Sequence, residues 1–256
     1  MWAWLLALLL AGLPVGVARA DGVGACAAWV ARTGTPQTTA GVGPAMVLCR
    51  TGYLVSYNTE HRTPIWVLEE LTAARFERNA SRDDLPFVPD PGVPAEGTAR
   101  TGDYARTGFD RGHMSPAADN SWLEQAMRES FYLSNIAPQH GPQMNRGIWK
   151  DLEQRTREWA VSRGKIMVVS GPVFGVMPPR INGVAVPEGF FKVLYDPVMR
   201  RALAFYFDNK AYADGNLEPN IRTVREIEAK TGITFFPELG PRARKMVTQT
   251  RAALWR

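Results

Sequence analysis

A chain of 256 residues with 45% hydrophobic content can bury a sizeable core, which excludes disorder as its main state and leaves one large domain or two small ones. Lys and Arg outnumber Asp and Glu by 30 to 25, and the resulting net charge of +5 favours a polyanionic partner without specifying one. Neither of the two cysteines has a cysteine or histidine cluster beside it, which argues against a structural zinc site.

Residues 1–20 read as a signal peptide: Trp2 to Val17 is almost uninterrupted apolar sequence, and Ala18-Arg19-Ala20 places small residues where a signal peptidase reads them. The alternative is a retained anchor, although the apolar run is short for a span. No second stretch is long enough to cross a bilayer, so the mature protein is expected to be soluble. In an oxidising compartment Cys26 and Cys49 read as a disulfide, contributing roughly 3 kcal/mol through loop closure.

Residues 21–45, rich in Gly, Ala, Thr and Pro, read as an irregular arm pinned by that disulfide. Residues 46–57 alternate as one strand. A turn over 58–63 holds His61, read as solvated, and leads into a second strand over 64–71. Residues 72–108 form a long polar loop broken by prolines, and its Arg75, Arg78, Arg82 and Arg100 either face a polyanion or are simply solvated. Ser121 and Glu124 make a capping box that opens a helix with apolar Trp122, Met127 and Phe131. Strand character returns over 131–136, and a Gly141-Pro142 turn that follows the solvated His140 leads to a helix over 146–162 with Ile148, Leu152 and Trp159 buried.

Downstream, 165–174 reads as a buried strand, 190–195 and 201–207 as a hairpin around Asp196-Pro197, 223–230 as a helix stopped by Gly232, and 242–256 as a basic helix. With no repeat or linker visible, residues 46–256 are expected to form one domain.

Two stretches carry chemistry. Residues 109–120 place His113 behind Asp110, Arg111 and Gly112, packing a base, a cation and a carboxylate together. Asn145, Trp149, Glu153 and Arg157 are each four residues apart and share one drifting helix face. Either stretch alone is compatible with solvated surface; together they suggest a site. Phosphodiester hydrolysis needs a base for water, stabilisation of growing charge on phosphoryl oxygens and of the leaving oxygen. A neutral histidine suits the first task, and His113 is that candidate. Mg²⁺ suits the other two with few protein oxygens, one of which Asn145 can supply. Arg111 or Arg157 adds forked donors to the phosphate.

The motifs Asp110-Arg111-Gly112-His113, Tyr132-Leu133-Ser134-Asn135-Ile136-Ala137-Pro138-Gln139, and Asn145 with Trp149, Leu152 and Glu153 closely resemble the signature of non-specific DNA/RNA endonucleases. These are ββα-metal finger enzymes related to mitochondrial endonuclease G. Ser170-Gly171-Pro172-Val173-Phe174 and the segment 227–237 extend the likeness over residues 47–239. The resemblance implies an α+β fold, a central antiparallel sheet flanked by helices with a ββα-metal finger. It implies His113 as general base, Asn145 as direct ligand to one Mg²⁺, with Mn²⁺ able to substitute, and Glu153 on metal-bound water. Arg111, Asn135 and Arg157 match positions that support the phosphate or orient the site, and Asp110 is expected to brace the hairpin, though a free carboxylate there is equally able to reach metal. A further family arginine is either Arg78 or Arg82. The expected activity is exported Mg²⁺-dependent cleavage of DNA and RNA with little sequence preference, and relatives that dimerise make a homodimer an expectation. The alternatives are an exported nucleic-acid-binding protein without catalysis and a hydrolase of another phosphodiester. Intact His113, Asn145 and Glu153 weigh against the first.

Overall fold

The computed structural model describes residues 24–31, 33–39, 45–77 and 80–255. The proposed signal peptide and Arg78 lie outside the described residues. The strands are β1 (Gln37–Thr38), β2 (Ala45–Cys49), β3 (Leu54–Asn58), β4 (Thr63–Thr72), β5 (Phe109–His113), β6 (Ile136–His140), β7 (Lys165–Val173), β8 (Arg180–Ile181), β9 (Val184–Ala185), β10 (Gly189–Asp196), β11 (Arg201–Asp208), β12 (Ile221–Arg222) and β13 (Ile233–Thr234). The helices are α1 (Ala27–Val30), α2 (Glu124–Ser130), α3 (Trp149–Arg163), α4 (Val224–Thr231) and α5 (Pro241–Gln249).

Seven strands form one antiparallel sheet in the order β12-β11-β10-β7-β4-β3-β2. The period-2 alternation of side chains sorts the apolar residues onto two faces. On one face Val67, Leu71, Ile166, Val168, Phe190, Leu194, Phe205 and Phe207 pack with Ile148, Trp149, Leu152 and Trp159 of the α3 region. On the other, Leu68, Met167, Val169, Phe191 and Val193 pack with Val224 and Ile227 of α4 and Val247 of α5. Because helices cover both faces, β7 and β10 are buried nearly throughout and read as continuous apolar runs. The α+β architecture with a central antiparallel sheet is as expected.

Several element boundaries differ from the sequence reading, each for a local reason. The single strand over 46–57 is a hairpin, β2 and β3, closed by an Arg50 N–H to Tyr53 carbonyl bond of 2.8 Å. Gly52 sits in its turn, where a Cβ would lie 1.7 Å from Asn120 Oδ1. Ser121 does not cap α2; its hydroxyl donates to the Ala118 carbonyl, and α2 begins three residues later. The strand expected from 131 starts at Ile136, after a 3-10 turn over Leu133–Asn135. The basic C-terminal helix has Pro241 in its first turn and stops at Gln249, and the tail continues without helix to residue 255. α4 follows the reading, with the Thr223 and Glu226 capping box and Gly232 in the left-handed conformation.

The arm is more ordered than its composition suggests. Cys26 and Cys49 are disulfide-bonded, with Cα atoms 5.8 Å apart, and β1 pairs antiparallel with β13. His61 is half-buried with its ring 4.6 Å from that of Phe174, and burial lowers its pKa, so it is not a freely solvated histidine.

Candidate active site

β5 and β6 form a second, two-stranded antiparallel sheet in which His113 pairs with Ile136 and Phe109 with His140. His140 therefore ends a strand instead of lying in a loop. Its backbone N–H donates to Asn209 Oδ1 at 2.7 Å. A wide π-helical turn (Gly141–Ile148) then leads into α3, with Gly147 breaking the helical backbone between them. This gives two strands and a helix, a ββα unit laid against the α3 face of the main sheet.

Gly112 is required in β5 because the Gln139 side chain crosses above it: an added Cβ would fall 2.2 Å from Gln139 Oε1. One residue on, the His113 ring is held between Phe87 and Phe131, each with its centroid 5.3 Å away. Nε2 of His113 is buried and has no hydrogen-bond partner among the described residues. Burial lowers the pKa of this imidazole to about 3, with Arg82 adding to the effect, so the ring is neutral at physiological pH. Arg82 is exposed and stacks over Phe131 at 5.8 Å, which brings the described member of the Arg78 and Arg82 pair to His113. Arg111 stacks on Phe87 at 4.8 Å. Phe87, in the long loop, is not marked out by the sequence, because its proline-rich surroundings give no period to read.

Asn145 lies in the π-helical turn. Its Nδ2 donates to Asp110 Oδ2 at 2.9 Å, and Arg146 Nε meets the same oxygen at 3.0 Å. Asp110 thus ties the turn to the hairpin, and the amide oxygen of Asn145 is the atom left for a ligand. Gly141 permits this approach, since a Cβ there would be 3.0 Å from Asp110 Oδ1.

The helix face carrying Trp149, Glu153 and Arg157 does not face solvent. Trp149 is fully buried against Phe190 and Phe207. Half-buried Glu153 has its carboxyl pushed up to about 7, mainly by desolvation, with Asp119 raising it further and Lys192 and Arg157 opposing. Arg157 donates to the buried carboxylate of Asp119 at 2.9 Å. Asn135 is also buried, and its amide is spent on backbone: Oδ1 accepts from Ser115 N–H and Nδ2 donates to the Ser115 and Ser130 carbonyls, each at 2.8 Å. It fixes the turn that follows His113 and has no amide bond to spare for phosphate.

Beneath Glu153 the sheet contributes a buried polar layer that the sequence reading missed. Lys192, on the α3 face of β10, donates to Ser170 Oγ at 2.7 Å, and its ammonium lies 4.9 Å from the Trp149 ring centroid. Glu69, on the same face of β4, accepts from Ser115 Oγ at 2.7 Å, and desolvation pushes its pKa well up. Asn120 donates to Ser115 Oγ at 2.8 Å. The only signal available was a charged residue at an inward position of an apolar strand, at Glu69 and Lys192. Arg75 belongs to the scaffold: it donates to the Gly52 carbonyl at 2.9 Å and stacks on Trp122.

The donor set is oxygen-only and sparse. Among the described residues no group of three or more His, Cys, Asp or Glu side chains is placed to hold a metal ion. An amide oxygen with a carboxyl nearby suits a hard cation that keeps most of its waters, the preference of Mg²⁺, and does not suit zinc.

A neutral, desolvated His113 and an oriented Asn145 amide lie on one ββα unit, and the chain belongs to the DNA/RNA non-specific endonuclease family, whose profile matches residues 32–241. Mitochondrial nuclease EXOG of Danio rerio is 38% identical over 210 residues, covering 74% of this chain and 60% of that protein. Human mitochondrial endonuclease G is 33% identical over 224 residues, covering 78% of this chain and 73% of that protein. A chain in the crystal structure of the EndoG/EndoGI complex, which concerns the mechanism of EndoG inhibition, matches with a TM-score of 0.76 at 26% identity. That match covers 88% of this chain and 97% of the other.

Proposed function

We propose that the protein is a Mg²⁺-dependent endonuclease that hydrolyses DNA and RNA phosphodiesters with little sequence preference, His113 acting as general base. The observation that carries this is geometric: the His113 ring is clamped between Phe87 and Phe131 with Nε2 unbonded among the described residues, on the same ββα unit as an Asn145 amide whose nitrogen is committed to Asp110. A neutral imidazole is ready to take a proton from attacking water without first losing one. Phe87 and Phe131 fix the ring and keep bulk water from competing for its nitrogens. Asn145 would hold the Mg²⁺ and Glu153 would orient its water shell; the bound ion supplies charge stabilisation at the phosphoryl and leaving oxygens. Arg111 and Arg82, on either side of the histidine clamp, are the cations that meet the phosphate. Arg157, committed to Asp119, positions Glu153, and Asn135 positions the turn after His113.

Contacts to phosphate carry little sequence information, which is why cleavage is read as non-specific. The Cys26 to Cys49 disulfide and the apolar leader favour export to a periplasmic or extracellular space. Among the described residues no helix is long and apolar enough to cross a membrane. A homodimer belongs to the same reading and is checked by light scattering.

Circular plasmid, linear duplex and RNA are incubated with residues 21–256, with Mg²⁺ or EDTA, beside His113→Ala and Asn145→Ala. Metal-dependent degradation of all three by wild type alone supports the reading. Near wild-type cutting by His113→Ala removes the base assignment, and unchanged Mg²⁺ dependence in Asn145→Ala removes the ligand assignment. Binding without cutting under several divalent ions would favour a non-catalytic nucleic-acid-binding protein.

A further inference from the structure

We propose that the cavity at the C-terminal end of α3 is a second binding site, for the phosphate of a nucleotide unit, remote from His113. The inference rests on the nuclease reading for its ligand class. The cavity has a volume of about 620 Å³, and Arg163, Arg200, Arg201 and Arg251 line it together with the tail to Trp255. Among the described residues none that lines it carries a carboxylate side chain.

Charge and hydrogen-bond donors are both in excess here. Arg163 is neutralised by buried Asp196 at 2.8 Å, and the other oxygen of Asp196 accepts the backbone N–H groups of Val198 and Met199. Among the described residues Arg200, Arg201 and Arg251 form no ion pair. Arg251 does act electrostatically on Glu226, but that carboxylate is committed to the cap of α4 through the Thr223 N–H and hydroxyl. Two further donors on lining residues, Nε of Arg163 and Nε1 of Trp255, are buried with no acceptor among the described residues, and Trp255 is only 9% exposed. Arg200, Arg201 and Arg251 are exposed and put an uncompensated positive charge at the mouth, while the two buried N–H groups are donors without a protein acceptor among the described residues, a combination that suits an oxyanion.

The tail that closes the cavity is fixed in place. Trp159 Nε1 donates to the Trp255 carbonyl at 2.9 Å, and the Arg163 guanidinium lies 4.4 Å from the Trp255 ring centroid. A volume of this size exceeds what a phosphate needs and falls in the range that holds a small organic ligand, and Ala252 and Leu254 supply apolar wall for a base or sugar. The helical rise from Trp149 to Arg163 puts the cavity about 21 Å from the end of α3 next to Asn145. Residues 246–255, which supply most of the lining, lie beyond the family profile match, which ends at residue 241.

The phosphate has two sources, the backbone of a polynucleotide or a free mononucleotide, and the test separates them. Arg200 has a φ of 50°, where glycine is relaxed, so Arg200→Gly removes a charge without straining the turn. Arg200→Gly/Arg251→Gln is made in the His113→Ala full chain and titrated with a duplex of about 24 base pairs, which is longer than the separation of the two sites, over a range of salt. Backbone binding predicts roughly tenfold weaker affinity and a slope of log K against log salt smaller by about 2, since two phosphate contacts are lost. With His113 intact, the double variant should hydrolyse a trinucleotide, too short to bridge the sites, at the wild-type rate. Adenosine monophosphate, followed by tryptophan fluorescence, tests the other source: saturable binding by the parent chain that the double variant loses assigns the cavity to free nucleotide. Unchanged duplex affinity and salt slope together with no mononucleotide response would overturn the proposal. If wild type cuts no nucleic acid with any divalent ion while the double variant still loses duplex binding, the nuclease reading fails and the phosphate site stands.

Discussion

Acidification should destabilise the wild-type protein more than His113→Ala. The imidazole is desolvated between Phe87 and Phe131, and its pKa falls from 6.5 to about 3 in the folded state. Between those values the unfolded chain binds a proton that the folded chain does not, so stability is lost as pH falls through this window. A tenfold change in proton affinity corresponds to about 1.4 kcal/mol, which sets a ceiling of about 5 kcal/mol for the whole window. The ring edge is partly solvent-accessible, and a discount for screening brings the expected loss to roughly 2–3 kcal/mol between pH 7 and pH 4. The Ala variant starts from a different stability because it leaves a gap between the two phenylalanines, but it lacks this proton-linked loss. Urea denaturation of both proteins at pH 7, 6, 5 and 4 gives the comparison, since the carboxylates common to both cancel in the difference. Parallel stability curves would refute the reasoning, because they would mean the histidine is not held in a desolvated neutral state.

Gly112→Ala should cost about 2–3 kcal/mol, measured by urea denaturation, because its Cβ would meet Gln139 Oε1 at 2.2 Å and Gln139 Cβ at 2.7 Å. Reducing the disulfide, which links residues 23 apart, should remove about 3 kcal/mol and lower the thermal midpoint by roughly 6–12 °C; an unchanged midpoint with dithiothreitol would show that it does not stabilise the fold. Lys192→Met should destabilise by about 3 kcal/mol, since Glu69, Asp119 and Glu153 would lose a buried cation, and adding Glu69→Gln should recover part of that loss. Glu69 has its pKa raised in the folded state, so its contribution to stability declines as pH rises through that value. Glu69→Gln should therefore flatten the wild-type loss of stability between about pH 5 and pH 8, read from urea denaturation curves collected across that range.

Local chemistry in the sequence determined much of this protein. Apolar and β-branched runs identified β4, β7, β10 and β11, Gly232 marked the end of α4, and the ordered motifs from Asp110 to Glu153 identified the ββα unit. These signals are legible because backbone preferences and side-chain periods act over a few residues. Errors came where a distant contact decided the outcome. Gly52 turns the chain because Asn120, 68 positions on, lies against it, whereas Ser121 was misread for a local reason, its hydroxyl bonding to Ala118 instead of capping α2. The sequence named His113 as a base but carried no sign that Phe87, 26 positions earlier, would desolvate it. Only the tertiary structure brought Glu69, Asp119, Glu153 and Lys192 into one buried layer, and gathered Arg163, Arg200, Arg201 and Arg251 around the tail. Charge, desolvation and orphaned donors depend on which chain segments meet in space, and antiparallel pairing joins segments far apart in sequence.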